Sequence, residues 1–347
     1  MNTSRKIAHS IFNKLKLVRL RFPTELEFEP IQVCNAKCFT CPYTTLSEDP
    51  DYTKQKMTRD QVENLLSQFG ELLKKHKYTG DTRINPYRYS DPLITKNLDV
   101  VLSTARKYGM RVAITTNAKG FNSRTIPLLE EYIDNLTDNI SISILGSTQE
   151  EVMTNMKVDL SKTMKTLIEL ADKKSILVKK IDVSLRIIEG TQQERKNLAV
   201  LSAKLNKLGY SHHIKSDWIH NRVDGDKTQP SRENFIKGCN LWHNKLLRRL
   251  EVMVNGNVVL CDDDAEGRKI FGNVFKESIE SIWNGPLLEE HSKIFATKYS
   301  EDKESLICTH CSRAEYVKRK YNALHSIKDI GVGPFLKQAA LRNVKTV

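Results

Sequence analysis

Strand-like and helix-like segments alternate along the chain from Glu25 to about Ile214. The helix-like segments have recognisable ends, because Thr58 can cap the first of them and Gly109 and Gly209 follow two others. Six segments are expected to be strands, and they read LEFEPIQV, TRINPYRYS, RVAITTN, NISISILG, KIDVSLRII and YSHHIK. This alternation predicts parallel β/α units, in which loops at the C-terminal ends of the strands usually carry the chemistry.

Three cysteines follow the first predicted strand in the run CNAKCFTC, with the spacing C-x3-C-x2-C. Cys34, Cys38 and Cys41 can bind three corners of a cubane iron–sulfur cluster, which leaves the fourth iron open to a small molecule. Zinc is the main alternative, but zinc sites usually have four ligands and the run offers three. A disulfide is less favoured, because no segment resembles a secretory signal and a cytoplasmic location is expected.

This cysteine spacing after a first strand resembles the signature of the radical S-adenosylmethionine (radical SAM) superfamily. The resemblance implies an α/β fold, a TIM-like partial (β/α)6 barrel, with a [4Fe–4S] cluster whose open iron binds S-adenosyl-L-methionine. Reductive cleavage of that cofactor would give a 5′-deoxyadenosyl radical, with the electron supplied by a donor such as flavodoxin or ferredoxin. Many members have an aromatic residue just before the third cysteine, where this chain has Thr40. Phe39 and Tyr43 flank that position, and Tyr43 is the candidate adenine contact.

Polar residues at the predicted strand ends are candidates for binding the cofactor. In YSDPL, residues 89 to 93, Asp91 stands where the family has an acidic residue for the methionine amino group, although a turn or cap role accounts for the pattern equally well. Asn117 resembles a family position near the cofactor or substrate, and the fork of Arg186 suits the methionine carboxylate. Either Ser143 or Ser141 is expected to face inward and the other outward. The cofactor candidates are therefore Tyr43, Ser90, Asp91, Asn117, Ser143 and Arg186.

A second set of cysteines comprises Cys239, Cys261, Cys308 and Cys311, the last two in the run CTHC. Between them, LEVMVNGNVVLC alternates apolar and polar residues around Asn255-Gly256, which predicts a tight hairpin. The later run GNVFKESIESIW has helical character. Four soft ligands of this kind can complete either a zinc site or a fully ligated cubane cluster, and composition does not decide between them.

The order C…G-x4-C, then GN-V…S-I…IW, then C-x2-C resembles the SPASM domains that follow some radical SAM barrels. With four cysteines, the region resembles the shortened twitch form, which implies one auxiliary [4Fe–4S] cluster. Residues 218 to 225 resemble the bridge that precedes such domains. The predicted organisation is a basic amphipathic segment at 1–24, the partial barrel at 25–225, a SPASM/twitch domain with a β-hairpin and helix at 226–325, and a helix or tail at 326–347.

All seven cysteines are thus assigned to the two clusters, and none is left as a hydrogen donor. An auxiliary cluster with four protein ligands is better suited to accept an electron than to bind substrate. The expected reaction is oxidation of a small alcohol, such as a sugar or cyclitol, by hydrogen abstraction, deprotonation and loss of an electron. Polar candidates for the base and for substrate contact are His212, His213, Asp217, His220 and Arg222. Arg222 is the preferred contact, and His220 and Asp217 are the other catalytic candidates.

Two other functions stay open. SPASM enzymes also modify ribosomally made peptides by cross-linking, oxidation or epimerisation, but only thirty-three residues precede Cys34, which favours a small molecule. A net charge of +13 would suit a metal-stabilised nucleic-acid-binding protein, yet the 55 basic residues are scattered among 42 acidic ones and nucleic acid is not the expected partner. The N-terminal run KIAHSIFNKLKLVRLRF would suit contact with a membrane surface, although packing against the protein body is favoured.

Overall fold

The computed structural model describes residues 18–188, 190–216, 238–239, 246–295, 308, 311, 314–315 and 345–346. The chain forms two compact units. The barrel unit contains Glu27–Ser67 and Arg83–Ile219, and the terminal unit contains Met1–Leu26, Gln68–Thr82 and His220–Val347. The boundaries predicted near residues 225 and 325, and most of the predicted amphipathic segment, lie outside the described residues.

Strands and helices alternate through the barrel unit and continue into the terminal unit. The strands are β1 (Val18–Arg19), β2 (Glu25–Phe28), β3 (Arg83–Asn85), β4 (Arg111–Thr116), β5 (Leu136–Leu145), β6 (Ile181–Ile187), β7 (Ser211–Ser216), β8 (Gly238–Cys239), β9 (Arg249–Val252), β10 (Val258–Val259), β11 (Ala314–Glu315) and β12 (Lys345–Thr346). The α-helices are α1 (Pro42–Leu46), α2 (Arg59–Lys75), α3 (Leu98–Lys107), α4 (Thr125–Glu131), α5 (Gln149–Met156), α6 (Leu160–Asp172), α7 (Gln192–Lys207), α8 (Ile279–Asn284) and α9 (Pro286–Phe295).

The predicted α/β partial barrel is confirmed. Strands β2 to β7 lie side by side in chain order. The four pairings from β3 to β7 are parallel. At least one helix connects each strand to the next, as parallel neighbours require, with α1 and α2 after β2 and with α5 and α6 after β5. The C-terminal ends of the strands therefore meet at one edge of the sheet.

Two strands are shorter in the structure than the sequence pattern predicts. β2 ends at Phe28, two residues before Pro30, and β3 ends at Asn85, immediately before Pro86. Proline has no N–H for the strand ladder, so a strand that reaches a proline is interrupted there. The residues beyond the end of β2 form the loop with Cys34, Cys38 and Cys41. The residues beyond the end of β3 form the turn with Asp91.

The sheet of the barrel unit has one apolar face and one polar face. On β5, Ile140, Ile142 and Ile144 are buried, whereas Ser141 and Ser143 between them are half-buried. β6 repeats this pattern, with buried apolar side chains at the positions paired with the three isoleucines. Residues two apart on a strand point to the same face. The expectation that Ser141 and Ser143 face opposite ways is therefore wrong, since both lie on the polar face.

Helix ends in the barrel unit follow local sequence signals. Oγ1 of Thr58 accepts a hydrogen bond of 3.2 Å from N of Gln61, and N of Thr58 donates one of 2.8 Å to Oε1 of Gln61, which caps α2 as predicted. Gly109 follows α3 with a φ of 67°, a left-handed conformation that glycine adopts without strain. The sequence reading missed α5, although Thr148 and Glu151 form a capping box at its start.

The terminal unit contains the predicted hairpin. β9 and β10 are antiparallel, with Val252 opposite Val258, and Gly256 in the turn has a φ of 83°. The helical character predicted for the following run is confirmed in α8. Two further antiparallel pairs join β1 to β12 and β8 to β11. In the part of the chain that the structure describes, no helix has both the length and the apolar character needed to cross a membrane.

Candidate iron–sulfur and cofactor site

The cysteine loop, residues 34–41, follows β2 and ends in a tight turn. N of Cys41 donates a hydrogen bond of 2.9 Å to the carbonyl oxygen of Cys38. Oγ1 of Thr44 donates to the same oxygen at 2.7 Å. Cys41 is also the residue before α1, whose first position is Pro42. The C-x2-C half of the motif is therefore fixed by backbone geometry.

The middle of the cysteine loop is attached to the end of α5. N of Lys37 donates to the carbonyl oxygen of Met156 at 2.8 Å, and N of Phe39 donates to that of Asn155 at 2.9 Å. Nδ2 of Asn155 in turn donates to the carbonyl oxygen of Leu145, the last residue of β5, at 3.2 Å. Helix ends have carbonyl groups without helical partners, and here the loop supplies the donors. The loop is thereby tied to the C-terminal end of a central strand.

Cys34 is the half-buried first thiol of the cysteine loop. Burial raises the pKa of this thiol to about 11, N–H groups of Ala36 and Asn35 oppose the rise, and the charges of Asp91 and Cys41 add to it. Such a thiol stays protonated at neutral pH unless a bound cation stabilises the thiolate. Soft sulfur donors spaced C-x3-C-x2-C fit three irons of a cubane cluster, so the loop fits the cluster that the resemblance implies.

Aromatic side chains pack beside the cysteine loop. Tyr43, in α1, is buried, and its ring meets that of Tyr52 edge to face at 6.2 Å between centroids. The hydroxyl of Tyr52 donates to the carbonyl oxygen of Gln32 at 3.2 Å. Burial raises the pKa of Tyr52, and the negative charge of Glu29 adds to the rise. Tyr43 thus lies beside the loop as expected, and its contact with adenine stays a prediction.

Asp91 is buried in the turn that follows β3, where it contacts the end of β4. Its Oδ1 accepts a hydrogen bond from N of Leu93 at 2.9 Å. Its Oδ2 accepts from Oγ1 of Thr116 at 2.7 Å and from N of Asn117 at 3.0 Å. Burial raises the pKa of Asp91, and these three hydrogen bonds oppose the rise. This is the cap role that the sequence left open, while a role toward the methionine amino group stays a prediction.

Asn117 connects the end of β4 to the cysteine loop. Its Nδ2 donates to Oδ1 of Asn35 at 2.7 Å, and its Oδ1 accepts from N of Lys119 at 2.9 Å. Nζ of Lys119 donates to the carbonyl oxygen of Asn35. Asn117 therefore lies next to the proposed cluster site, as the resemblance implies, and supports the loop directly.

The turn after β3 holds one residue that the sequence reading did not select. Oδ1 of Asn85 accepts hydrogen bonds from Nε of Arg83 at 3.0 Å and from the hydroxyl of Tyr87 at 3.2 Å. Nδ2 of Asn85 is buried and has no partner among the described residues, so it can donate to a ligand. Ser90, a predicted cofactor residue, donates to the carbonyl oxygen of Tyr87 at 2.9 Å within the same turn.

Two further cofactor candidates lie on the polar face of the sheet. Ser143 pairs with Ser184 and Arg186 pairs with Leu145 across β5 and β6, close to the ends of both strands. Both candidate side chains are half-buried. Their contacts with the cofactor stay predictions. The predicted catalytic residues Asp217, His220 and Arg222 lie outside the described residues.

The second cysteine set lies in the terminal unit. N of Cys311 donates a hydrogen bond of 3.1 Å to the carbonyl oxygen of Cys308, the same turn as in the cysteine loop. In the β8–β11 pair, Cys239 lies opposite Ala314, which brings the backbone of the first cysteine near that of the last. Cys261 follows β10 and is buried, as is Cys311. The fold thus brings together residues that are more than seventy positions apart in the sequence.

Acidic side chains surround Cys261. Its sulfur and the carboxylates of Asp262 and Asp263 lie within 4.8 Å of one another. A thiolate in such surroundings needs a nearby positive charge, which a metal ion or an iron–sulfur cluster would supply. The donor set fits a metal centre, and both zinc and a [4Fe–4S] cluster suit it.

Comparisons with known proteins agree with these features. Residues 239–312 match the model of the SPASM family, described as an iron–sulfur cluster-binding domain. The S-adenosyl-L-methionine-dependent 2-deoxy-scyllo-inosamine dehydrogenase of Niallia circulans is 23% identical over 290 residues, which cover 83% of this chain and 92% of that protein. The crystal structure of BtrN in complex with AdoMet and 2-DOIA has a TM-score of 0.54 and 16% identity, covering 87% of this chain and 97% of BtrN. Native anSMEcpe with bound AdoMet and Cp18Cys peptide has a TM-score of 0.54 and 12% identity, covering 92% and 97%.

The parallel strands with a cysteine loop at their C-terminal edge form the fold that the BtrN and anSMEcpe structures also have. The C-terminal cysteines belong to a SPASM domain. The chain therefore combines a SPASM domain with the fold of radical SAM partial barrels.

Proposed function

We propose that the protein oxidises an alcohol group of a small polyhydroxylated molecule, such as a sugar or cyclitol, and consumes S-adenosyl-L-methionine in the reaction. The observation that carries this proposal is the cysteine loop, which is held beside Asp91 and Asn117 at the C-terminal edge of parallel strands. Similarity to a 2-deoxy-scyllo-inosamine dehydrogenase over most of both chains supports an alcohol as the substrate.

The residues of the barrel unit divide into those that would hold the cofactors and those that hold the loop. Cys34, Cys38 and Cys41 would bind a [4Fe–4S] cluster, which together with S-adenosyl-L-methionine supplies a 5′-deoxyadenosyl radical when bound. Asn117 and Lys119 fix the start of the loop through Asn35. The proposed contacts of S-adenosyl-L-methionine are Tyr43, Ser90, Asp91, Asn117, Ser143 and Arg186.

The cysteines of the terminal unit would hold one auxiliary [4Fe–4S] cluster, as in the twitch form. The proposed ligands are Cys239, Cys261, Cys308 and Cys311. Four protein ligands leave no open iron, so such a cluster is suited to take up an electron from the substrate. With all seven cysteines assigned, no thiol is left to return a hydrogen atom, and net oxidation is favoured. A flavodoxin or ferredoxin is the proposed donor of the initiating electron.

Modification of a ribosomally made peptide is the second candidate function. It is favoured by the similarity of fold to anSMEcpe, whose structure contains the Cp18Cys peptide. The two candidates differ in the substrate and share the cofactor chemistry. An experiment that measures cofactor cleavage and substrate change separately can therefore test each.

The first test is the metal content. Anaerobic reconstitution with iron and sulfide is expected to give about eight irons per chain, as two cubane clusters require. About four irons together with one zinc would contradict the electron-acceptor role of the second site, since zinc has no redox chemistry. The Cys34→Ala and Cys261→Ala variants should each lose about half of the iron, from different sites.

The second test separates cofactor cleavage from substrate oxidation. With reductant and S-adenosyl-L-methionine, the wild-type protein and Cys261→Ala should form 5′-deoxyadenosine, and Cys34→Ala should form none. The proteins are then given a panel of sugars and cyclitols that includes 2-deoxy-scyllo-inosamine. Of the three proteins, only the wild type should convert a member of the panel to a ketone lighter by the mass of two hydrogens. Formation of 5′-deoxyadenosine that is stimulated by peptides and by no alcohol would support the second candidate and contradict the first.

A further inference from the structure

A histidine and an aspartate form a close pair on the polar face of the barrel unit. Nδ1 of His213, on β7, lies 2.8 Å from Oδ2 of Asp182, on β6. The side chains are 34% and 16% exposed, respectively. A carboxylate only accepts hydrogen bonds, so Nδ1 of the neutral ring carries the hydrogen. Nε2 is then left as a hydrogen-bond acceptor.

The residue paired with His213 on the neighbouring strand carries a second polar atom without a partner in the described part of the chain. Nε2 of His213 is buried and has no hydrogen-bond partner among the described residues, and the same is true of Oγ of Ser184. Ser184 is 2% exposed. It is paired with His213 across β6 and β7 and with Ser143 across β5 and β6, so the three residues form one row on the polar face. Buried polar atoms are nearly always satisfied, so an acceptor and a hydroxyl left open in one row indicate a place for a polar group of a ligand.

The neighbouring histidine does not share this environment. His212 is paired with Val183 and lies on the opposite, apolar face. The expectation that grouped His212 with the possible bases is therefore not supported by its position. The other charged residues on the polar face of β6 and β7 are Arg186 and Lys215. They are paired with each other, two residues closer to the C-terminal ends of the strands than Ser184 and His213.

We propose that His213 is the base of the oxidation, with its Nε2 accepting the hydroxyl proton of the substrate alcohol and with Ser184 binding the same oxygen. Asp182 is a positioning residue that keeps the hydrogen of the ring on Nδ1. The inference rests on the function proposed above and assigns the step that the function leaves open. It places the substrate hydroxyl on the polar face of β6 and β7.

The oxidation removes one hydrogen atom, one proton and one electron from the alcohol. The C–H bond of the carbinol carbon breaks, and its hydrogen atom goes to the 5′-deoxyadenosyl radical. The O–H bond breaks, and its proton goes to Nε2 of His213. The one remaining electron leaves to an oxidised iron–sulfur cluster, and the C=O double bond forms. Loss of the proton makes the carbon-centred radical a stronger reductant, which is why a base is needed before the electron leaves.

The first experiment determines the tautomer of His213 in the reconstituted full-length protein. Histidine is labelled with nitrogen-15, and the signal of His213 is assigned by its disappearance in His213→Gln. A long-range nitrogen–proton correlation spectrum at neutral pH should show the hydrogen on Nδ1 and none on Nε2. A hydrogen on Nε2 would overturn the proposal, because that nitrogen could not accept a proton.

The second experiment measures ketone and 5′-deoxyadenosine separately, with the alcohol that the wild-type protein oxidises. In His213→Gln, kcat for the ketone should fall at least about 100-fold with little change in KM, while 5′-deoxyadenosine continues to form. Added imidazole should restore part of the ketone in His213→Ala. Asp182→Asn should also lose ketone, and Asp182→Glu should recover part of it. His212→Gln is the matched control and should keep wild-type rates.

The outcomes distinguish this inference from the proposed function. A wild-type protein that forms no 5′-deoxyadenosine would refute the proposed function and the inference with it. A wild-type protein that forms ketone, together with a His213→Gln variant that forms it at the same rate, would refute the inference alone. Iron content and circular dichroism of each variant confirm that it is folded and loaded, so that a loss of ketone reports on the chemistry.

Discussion

The substitution His291→Gln is expected to destabilise the protein at neutral pH and to stabilise it in mild acid. His291 is buried in the terminal unit, and its Nδ1 accepts a hydrogen bond of 2.9 Å from Nε of Arg19. The ring also packs edge to face against Trp283, at 5.7 Å between centroids. Burial, with the charge of Arg19 adding to it, holds the pKa of His291 well below its usual value of 6.5. The folded protein therefore requires the neutral ring.

The size of the effect follows from proton linkage. In the unfolded chain the histidine titrates near pH 6.5, so acid favours unfolding once the pH falls below about that value. The loss steepens toward about 1.4 kcal/mol per pH unit, so this one side chain should cost between about 1 and 2 kcal/mol at pH 5.5. The glutamine amide oxygen can still accept from Arg19 but does not titrate. Its altered packing should cost about 1 kcal/mol at neutral pH, so the two stability curves should cross near about pH 6.

Urea unfolding of the apo proteins, followed by tryptophan fluorescence between about pH 5 and pH 7.5, tests this reasoning. The measured quantity is the difference in unfolding free energy between wild type and His291→Gln, in which the other titrating groups cancel. His212→Gln is the control for removal of a histidine that is not fully buried. A difference that stays constant across this pH range would refute the buried neutral histidine as the cause.

Three further substitutions test the local structure. Thr58→Ala removes the cap of α2 and should lower the unfolding free energy by about 1 kcal/mol in urea titrations. Gly256→Ala adds a Cβ 2.4 Å from Cδ2 of Phe275 at a φ of 83°, and should cost about 2–4 kcal/mol in the same assay, whereas an unchanged midpoint would contradict the hairpin geometry. Asn117→Ala removes the hydrogen bond to Asn35, and iron should be lost faster to a chelator than from wild type. Equal rates of iron loss would show that this contact does not support the loop.

Much of the fold could be predicted because its signals are local. Thr58 and Gly109 mark helix ends through their own side chain or backbone, and Asn255-Gly256 marks a hairpin turn within a few residues. The sequence reading was wrong at two kinds of place, a strand-like run that contains a proline and a helix too short to show its period. The pattern around Pro86 resembles a strand that continues through a residue unable to join the ladder, and the eight residues of α5 are too few to show a clear helical period.

The site could be predicted only in part. Cys34, Cys38 and Cys41 lie within eight residues, so the candidate ligand set could be read directly from the sequence, and its binding of a cluster stays a prediction. The contact between Asp182 and His213 depends on the register of two strands separated by a helix, which no local pattern encodes. The three donors to Asp91 likewise come from two segments of the chain, so its sequence context could not distinguish a cap from a ligand.

The hydrogen bonds that fasten the cysteine loop to α5 bear on the electrochemistry of a cluster held there. The reduction potential of an iron–sulfur cluster depends on hydrogen bonds donated to its sulfurs, and each such donor makes the cluster easier to reduce. The N–H groups of Lys37 and Phe39 are instead engaged by the carbonyl oxygens of Met156 and Asn155. With these two donors engaged elsewhere, a cluster bound by the loop would be a stronger reductant than one whose sulfurs accepted both hydrogen bonds. The end of one short helix would therefore help to set the reduction potential of the cluster that we propose for this loop.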